Sequence, residues 1–169
     1  VRSGFDVTDK TAFTTALAVA DPDDEGGSAR SADLRHLSNR VMSGSDTRPH
    51  VIAVVAAQSG ASAAARELAE SMASALGTAE VPALLVRTDA RRPVGASASR
   101  GFVDALVDAD LDLAEVMSVQ SGGVCTIDVG NRVLDPIGVI TRTSVARFLD
   151  AARKQAEVVL LEAPIVVES

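Results

Sequence analysis

Four short apolar runs recur along the chain, separated by segments with helical periodicity. The runs cover residues 51–57, 81–87, 124–129 and 157–163. Because they are continuous rather than alternating, they predict strands that are covered on both faces. The intervening segments predict the covering helices at residues 62–77, 101–107, 111–118 and 141–155. This order predicts an α/β fold, with a parallel sheet and flanking helices.

The residues before the first run divide into two parts. Residues 20–30, ADPDDEGGSAR, combine an acidic cluster, a proline and two glycines without periodicity, and predict a flexible linker. The following stretch, SADLRHLSNRVM, has apolar residues spaced i, i+3 and i+7 and predicts an amphipathic helix. We therefore predict an N-terminal segment and linker at 1–30 and one α/β domain at 31–169.

Composition and charge narrow the range of partners. The formal charge is −7, and the chain has neither Trp nor Tyr. Such a surface repels phosphate backbones and offers no aromatic platform for bases, so nucleic acid is not an expected partner. The single cysteine, Cys125, excludes an internal disulfide, and its apolar neighbours predict a buried, inert thiol. His36 and His50 lack neighbours at ligand spacing, so no metal site is expected there.

The stretch VVAAQSGASAAARELAESMA, residues 54–73, has the strand, loop and helix layout of a phosphate-binding loop. Such loops use glycines whose backbone N–H groups face oxyanions, a lysine that reaches the phosphates and a hydroxyl for Mg²⁺. Alanine stands here where the lysine is required. A simpler interpretation is a helix N-terminus with Ser59 or Ser62 as its cap, and a second is residual binding of an anion.

A series of motifs resembles one protein family. VIAV at 51–54 is followed by the loop, and then by LLVRTDARRP at 84–93, GFVDALVDADLDLAEVM at 101–117, LDPIGVI at 134–140 and EVVLLEAPIV at 157–166. Their order resembles that of the bacterial tyrosine kinases of capsule and exopolysaccharide assembly, which belong to the deviant Walker group of P-loop ATPases. The resemblance covers residues 30–168 and implies a P-loop NTPase-like fold.

The resemblance also assigns functional positions to four residues. It places Gly60 on the loop glycine, Ser62 on the hydroxyl position, Asp89 on a motif aspartate and Glu162 on the Walker B aspartate. We expect these to form at most a vestigial cofactor site, with residual ATP, Mg²⁺ or anion binding. The competing interpretation is that Asp89 and Glu162 are carboxylates at the ends of strands, paired with Arg91 or with loop amides.

Three departures from the family pattern indicate lost chemistry. Ala61, or Ala63 in the ungapped alignment, replaces the lysine, and Arg87 replaces the first aspartate, which helps to organise Mg²⁺ and water. The tyrosine cluster is missing as well. Loss of the lysine alone removes electrostatic stabilisation on the order of several kcal/mol during phosphoryl transfer. The sequence therefore predicts no efficient transfer and no catalytic residues.

Two further segments bear on assembly. The aligned positions of the family's ring-interface helix are Ala29, Ala32 and Arg35, so only its last arginine is retained. The opening VRSGFDVTDKTAFTTALAV resembles the segment after the second membrane helix of chain-length regulators fused to these kinases. This match predicts a piece of a longer membrane protein, located at the cytoplasmic face of the plasma membrane, and leaves open whether the fold ends at Ser169.

Two surface motifs have simple explanations. Asp108, Asp110 and Asp112 have the spacing of the first ligands of a calcium-binding loop. Leu113, however, occupies the position of the required glycine, and Val119 that of the bidentate glutamate. The three aspartates therefore predict a solvated turn and helix cap. The motif RTDARRP predicts either a surface loop or a basic patch for phosphate.

These observations predict a degenerate kinase-like domain that acts through protein partners of polysaccharide assembly, with a homo-oligomer as one arrangement. Two alternatives remain open. One is an active kinase or ATPase that uses Arg87, Arg91 or a partner's residue in place of the lysine. The other is a relative of the positioning ATPases.

Overall fold

The computed structural model describes residues 50–55, 62–89, 99–120, 123–130 and 136–163. Five strands and four α-helices lie in these ranges. In chain order they are β1 (His50–Val55), α1 (Ser62–Thr78), β2 (Ala83–Arg87), α2 (Phe102–Val107), β3 (Met117–Val119), β4 (Cys125–Ile127), α3 (Pro136–Val139), α4 (Arg142–Ala152) and β5 (Val158–Ala163).

The strands form one sheet in the order β1-β5-β2-β4-β3. Neighbouring strands are parallel from β1 to β4, and β3 pairs with β4 in the antiparallel direction. Strand β5 lies between β1 and β2 and pairs Glu162 with Val54 of β1 on one side and with Arg87 of β2 on the other. The register therefore places two charged residues side by side at the carboxyl ends of β2 and β5.

Each face of the sheet packs against helices, which explains why the strands are apolar along their whole length. Alternate residues of β2 and β5 face α1, whose buried side chains include Met72 and Leu76. The other face packs against α2 and α4. There, the rings of Phe102 and Phe148 meet edge to face, with centroids 5.0 Å apart. The predicted parallel α/β sheet with flanking helices is confirmed.

One predicted helix is wrong. Residues 111–118 form a single 3-10 turn at Leu113–Glu115 and then enter strand β3. The turn begins at Asp112, whose carboxylate accepts a hydrogen bond from the Ala114 N–H at 3.0 Å. Pairing with β4 then decides the conformation of the next residues, since tertiary contacts override local propensity. The aspartate triplet thus forms a turn and a cap, as predicted.

Cys125 corrects a second expectation. It is a free thiol on β4 and is half-buried rather than buried. Its strand lies next to the short edge strand β3, where Val119 pairs with Cys125 and is itself 75% exposed. A three-residue edge strand covers little of its neighbour, so the thiol keeps partial contact with solvent.

Several sequence predictions fall outside the described residues. These are the linker at 20–30, the helix that follows it, the interface positions Ala29, Ala32 and Arg35, the loop residues 56–61, and Arg91 with most of its motif. Within the described ranges, no helix has both the length and the apolar character needed to cross a membrane.

Candidate functional site

Five charged side chains meet at the carboxyl edge of the sheet. Arg87 ends β2, Glu162 lies near the end of β5 and Asp128 follows β4, while Arg66 and Glu70 project from the first half of α1. Parallel strands bring their carboxyl ends to one edge of a sheet, which is where α/β proteins generally bind ligands. We call this group the edge cluster.

The Arg87 guanidinium lies among the three carboxylates of the edge cluster. Its Nη1 atom donates to Oδ1 of Asp128 at 2.6 Å, and its Nη2 atom donates to Oε1 of Glu70 at 2.9 Å. The Nε atom lies 3.9 Å from Oε2 of Glu162, an ion pair too long for a hydrogen bond. Each nitrogen of the planar group thus faces a carboxylate from a different element.

Glu162 is the buried member of the cluster. Its side chain is 9% exposed, compared with 31% for Arg87. A carboxylate this far from water is costly unless a cation or hydrogen-bond donors compensate it. The backbone carbonyl of Glu162 also accepts the N–H and the hydroxyl of Thr88, at 3.2 Å and 2.8 Å. These bonds fix the segment after β2 against the end of β5.

Glu70 links the two arginines of the cluster. Its Oε1 atom accepts hydrogen bonds from Arg66 Nε and from Arg87 Nη2, each at 2.9 Å. The hydrogen bond from Arg66 lowers the pKa of Glu70, and the bond from Arg87 adds to that effect. The hydrogen bond between Arg66 and Glu70 also raises the pKa of Arg66. Glu70 and Arg66 are therefore both charged at neutral pH.

Close backbone contact between the start of α2 and residues 128–130 positions Asp128. The N–H of Phe102 donates to the Asp128 carbonyl at 2.8 Å, and the N–H of Val103 donates to the Val129 carbonyl at 2.9 Å. A Cβ atom on Gly101 would lie 2.5 Å from the Gly130 nitrogen, closer than real Cβ contacts allow. Glycine at 101 therefore lets the start of α2 pack directly on the segment that carries Asp128.

The edge cluster does not fit a magnesium ion. Magnesium requires oxygen ligands about 2.0–2.1 Å from one point, whereas these carboxylates lie around the rim of a guanidinium group. Within the described ranges, no three acidic, His or Cys side chains are close enough together to hold a metal. The positive charge of Arg87 lies where the resemblance implies an aspartate that organises Mg²⁺.

The four residues predicted for the cofactor site are only partly brought together. Glu162 lies in the edge cluster, and Asp89 lies two residues after the end of β2, half-buried and with interactions of its own. Ser62 begins α1, but its side chain is outside the description, as is Gly60. Arg87 forms an ion pair with Glu162, and Arg91, which the sequence offered as a partner, lies outside the described residues.

Sequence reasoning missed Arg66, Glu70 and Asp128. The i, i+4 spacing of Arg66 and Glu70 is a signal for a helical ion pair. Asp128 lies within the apolar run 124–129, and a charged residue near the end of a buried strand is a second signal. Neither signal identifies Arg87 as the shared partner, because that depends on how α1 is rotated over the sheet.

Comparisons with solved structures identify the fold. The kinase domain of Escherichia coli tyrosine kinase ETK aligns with a TM-score of 0.68 at 16% identity, over 84% of this chain and 56% of that chain. The chimerical protein CapA2B2 aligns with a TM-score of 0.69 at 19% identity, over 86% of this chain and 66% of that chain. The BceF tyrosine kinase domain aligns with a TM-score of 0.63 at 20% identity, over 82% of this chain and 57% of that chain. No family model and no curated protein matches the sequence.

This chain spans 56% to 66% of the length of those three chains. Identities of 16% to 20% show a common fold and no more. Together with the mostly parallel sheet and its flanking helices, the alignments show that the chain has the P-loop kinase-like fold of bacterial tyrosine kinase domains.

Proposed function

We propose that this chain is a catalytically degenerate tyrosine-kinase-like domain that acts through protein contacts. Its role is the control of polysaccharide chain length or export at the cytoplasmic face of the plasma membrane. The fold of bacterial tyrosine kinase domains supports the general class. The observation that carries the loss of chemistry is the placement of Arg87, whose guanidinium is hydrogen-bonded to Asp128 and Glu70 at the edge of the sheet.

Charge at this edge is unfavourable to a nucleotide. The edge cluster holds two guanidinium groups and three carboxylates, which leaves an excess of one negative charge. A triphosphate is repelled by such a group, because electrostatic attraction provides much of the binding of phosphates. The sequence also lacks the lysine that would offset this repulsion. We therefore expect at most weak, residual binding of ATP–Mg or of an anion.

In the enzyme alternative, Arg87 contacts the phosphates in place of the missing lysine. To reach a phosphate, the guanidinium would have to leave both Asp128 and Glu70. Charge-assisted hydrogen bonds of this kind are about twice as strong as neutral ones, so a phosphate would have to compete with two carboxylates for the guanidinium. A positioning ATPase with the same deviant fold is the other alternative, and it likewise requires nucleotide binding.

Titration calorimetry with ATP and MgCl₂ tests the loss of nucleotide binding. We expect only heats of dilution up to millimolar ATP, and no incorporation of labelled phosphate. The ETK kinase domain, measured in the same buffer, is the positive control. Micromolar binding with turnover would refute the proposal. If turnover appeared, its loss in Arg87→Ala would assign it to the rebuilt enzyme site.

The role in polysaccharide assembly needs a separate test in the source organism. Deletion of the coding sequence should change the length distribution of an envelope polysaccharide on gels, and the intact gene should restore it. Cross-linking followed by mass spectrometry should recover membrane proteins of polysaccharide assembly, or a second copy of the chain. An unchanged length distribution would contradict the proposed role, whatever the result for nucleotide binding.

A further inference from the structure

We propose that Arg87 is a built-in cation that permanently takes the place of the metal ion implied by the resemblance at this edge of the sheet. The site would then be filled from within the chain rather than left vacant. This inference rests on the proposed function, since it explains how the edge of the sheet stays assembled without Mg²⁺ or nucleotide. It concerns the stability of the domain and needs no external ligand.

The geometry of the edge cluster matches a planar cation with several donors. Nη1 and Nη2 donate hydrogen bonds to Asp128 and Glu70, and Nε lies 3.9 Å from Glu162, within the range of an ion pair. An arginine side chain presents its donors as a rigid fork that suits several carboxylates, whereas an ammonium group is a compact point charge. A lysine at 87 would therefore keep fewer of these contacts.

Arg87 also joins elements that are distant in the sequence. Its partners lie on α1, on β5 and after β4, while Arg87 itself ends β2. The partner with the least access to water is Glu162. Removal of the guanidinium would take away the cation that lies 3.9 Å from this buried carboxylate, and removing one member of a buried ion pair is destabilising. Arg87 is thus a positioning residue for the whole edge.

Chemical rescue provides the test. In Arg87→Ala, thermal unfolding followed by circular dichroism should show a melting temperature lower by about 3–8 °C than that of the wild type. Methylguanidinium chloride at millimolar concentrations should then raise the melting temperature of the variant by about 1–3 °C, because a cation that binds only the folded state stabilises it. The wild type, whose site is filled, should show no such gain.

Three other chloride salts at equal ionic strength serve as controls. Methylammonium has the same charge without the planar fork, sodium measures screening alone, and magnesium tests for a metal site. Arg153→Ala is the matched control variant, because Arg153 forms an exposed 3.4 Å ion pair with Asp150 within one helical turn. Its melting temperature should change by less than about 2 °C and should not respond to methylguanidinium.

Rescue that is selective for methylguanidinium supports the proposal. Equal rescue by all salts would reduce the effect to screening, and stronger rescue by magnesium would indicate a metal site, so each would overturn it. An Arg87→Ala variant as stable as the wild type would also overturn the proposal. Arg87→Gln, whose shorter and uncharged side chain keeps an amide donor, is tested in parallel. If neither variant folded in any salt, the proposal would also fail, because the site should accept the cation from solution.

The failure of this inference can be told apart from failure of the proposed function. Calorimetry on the wild type decides whether nucleotide binds, while the rescue measurements concern only the folded stability of the variants. Tight ATP–Mg binding by the wild type would refute the proposed function even if rescue were selective. Absent rescue together with absent nucleotide binding would refute only the built-in cation.

Discussion

The Nη1 atom of Arg87 lies 2.6 Å from Oδ1 of Asp128, a residue 41 positions further along the chain. This contact ties the carboxyl end of β2 to the segment after β4. The carboxyl edge of the sheet is where α/β proteins generally bind ligands. Here a charge-assisted hydrogen bond holds the guanidinium of Arg87 against a carboxylate of the chain itself. The relationship therefore connects the architecture of the sheet with the proposed loss of nucleotide chemistry.

Replacement of Glu70 by Gln should make stability less dependent on pH. In the folded chain, the hydrogen bond from Arg66 lowers the Glu70 pKa below its usual value of 4.5, with a further contribution from Arg87. A lowered folded pKa gives stability that is present above the unfolded pKa and is lost as the pH falls through the folded one. Because the Glu70 side chain is 43% exposed, we expect Glu70→Gln to cost only about 0.5–1 kcal/mol at pH 7.

Urea unfolding followed by circular dichroism at a series of pH values measures this effect. The difference in unfolding free energy between wild type and Glu70→Gln should be constant above pH 6 and should close as the pH falls below about 4. Asp150→Asn, which removes an exposed i, i+3 pair with Arg153, is the control and should have a smaller effect at pH 7. A difference for Glu70→Gln that persisted unchanged at low pH would show that its ionisation is not involved.

Substitution of Gly101 by Ala should strongly destabilise the domain. Gly101 has φ −161°, an extended conformation open to any residue, so its requirement is space rather than backbone freedom. An added Cβ would lie 2.5 Å from the Gly130 nitrogen and 2.7 Å from the Gly130 Cα. Both are backbone atoms, which cannot move aside as a flexible side chain can. We expect a loss of about 3 kcal/mol in unfolding free energy by urea titration.

Gly123→Ala separates this clash from backbone strain. Gly123 has φ +78°, and nothing lies within 4 Å of the position of an added Cβ. The variant should therefore lose only about 1–2 kcal/mol, the cost of a left-handed conformation for alanine. If Gly101→Ala cost no more than Gly123→Ala, the packing of α2 against the Asp128 segment would be less tight than described.

Most of the sheet could be predicted from the sequence because its strands are covered on both faces. The apolar runs at 81–87 and 157–163 contain β2 (Ala83–Arg87) and β5 (Val158–Ala163) almost to the residue. Continuous apolar runs of this length mark buried parallel strands whatever the surrounding fold. The helices α1 and α4 were predicted for a similar reason, since their apolar residues follow helical spacing.

The antiparallel strand β3 and the partners of Arg87 could not be predicted in this way. Met117–Val119 is a strand because it pairs with β4, and a three-residue stretch carries too little pattern to show this locally. The sequence placed Arg87 and Glu162 at strand ends, but the contact with Glu70 depends on the rotation of α1 over the sheet. Such contacts arise from tertiary packing, which periodicity does not encode.

Replacement of Arg147 by Ala should loosen the end of α2. The Nη2 atom of Arg147, on α4, donates to the Leu106 carbonyl at 2.8 Å and to the Ala105 carbonyl at 3.2 Å. The last carbonyls of a helix have no partner within it, and arginine side chains can satisfy them. The variant removes a half-buried cation from this position, so we expect a loss of about 1–2 kcal/mol.

Hydrogen exchange locates the effect of Arg147→Ala in the fold. Amides of α2 (Phe102–Val107) should exchange faster in the variant, whereas those of α1 on the opposite face of the sheet should not change at conditions that favour local opening. Arg142→Ala, at an exposed position in the first turn of α4, should stay within about 0.5 kcal/mol of the wild type. Equal effects of the two substitutions, or faster exchange spread over both faces, would show that Arg147 does not act by capping α2.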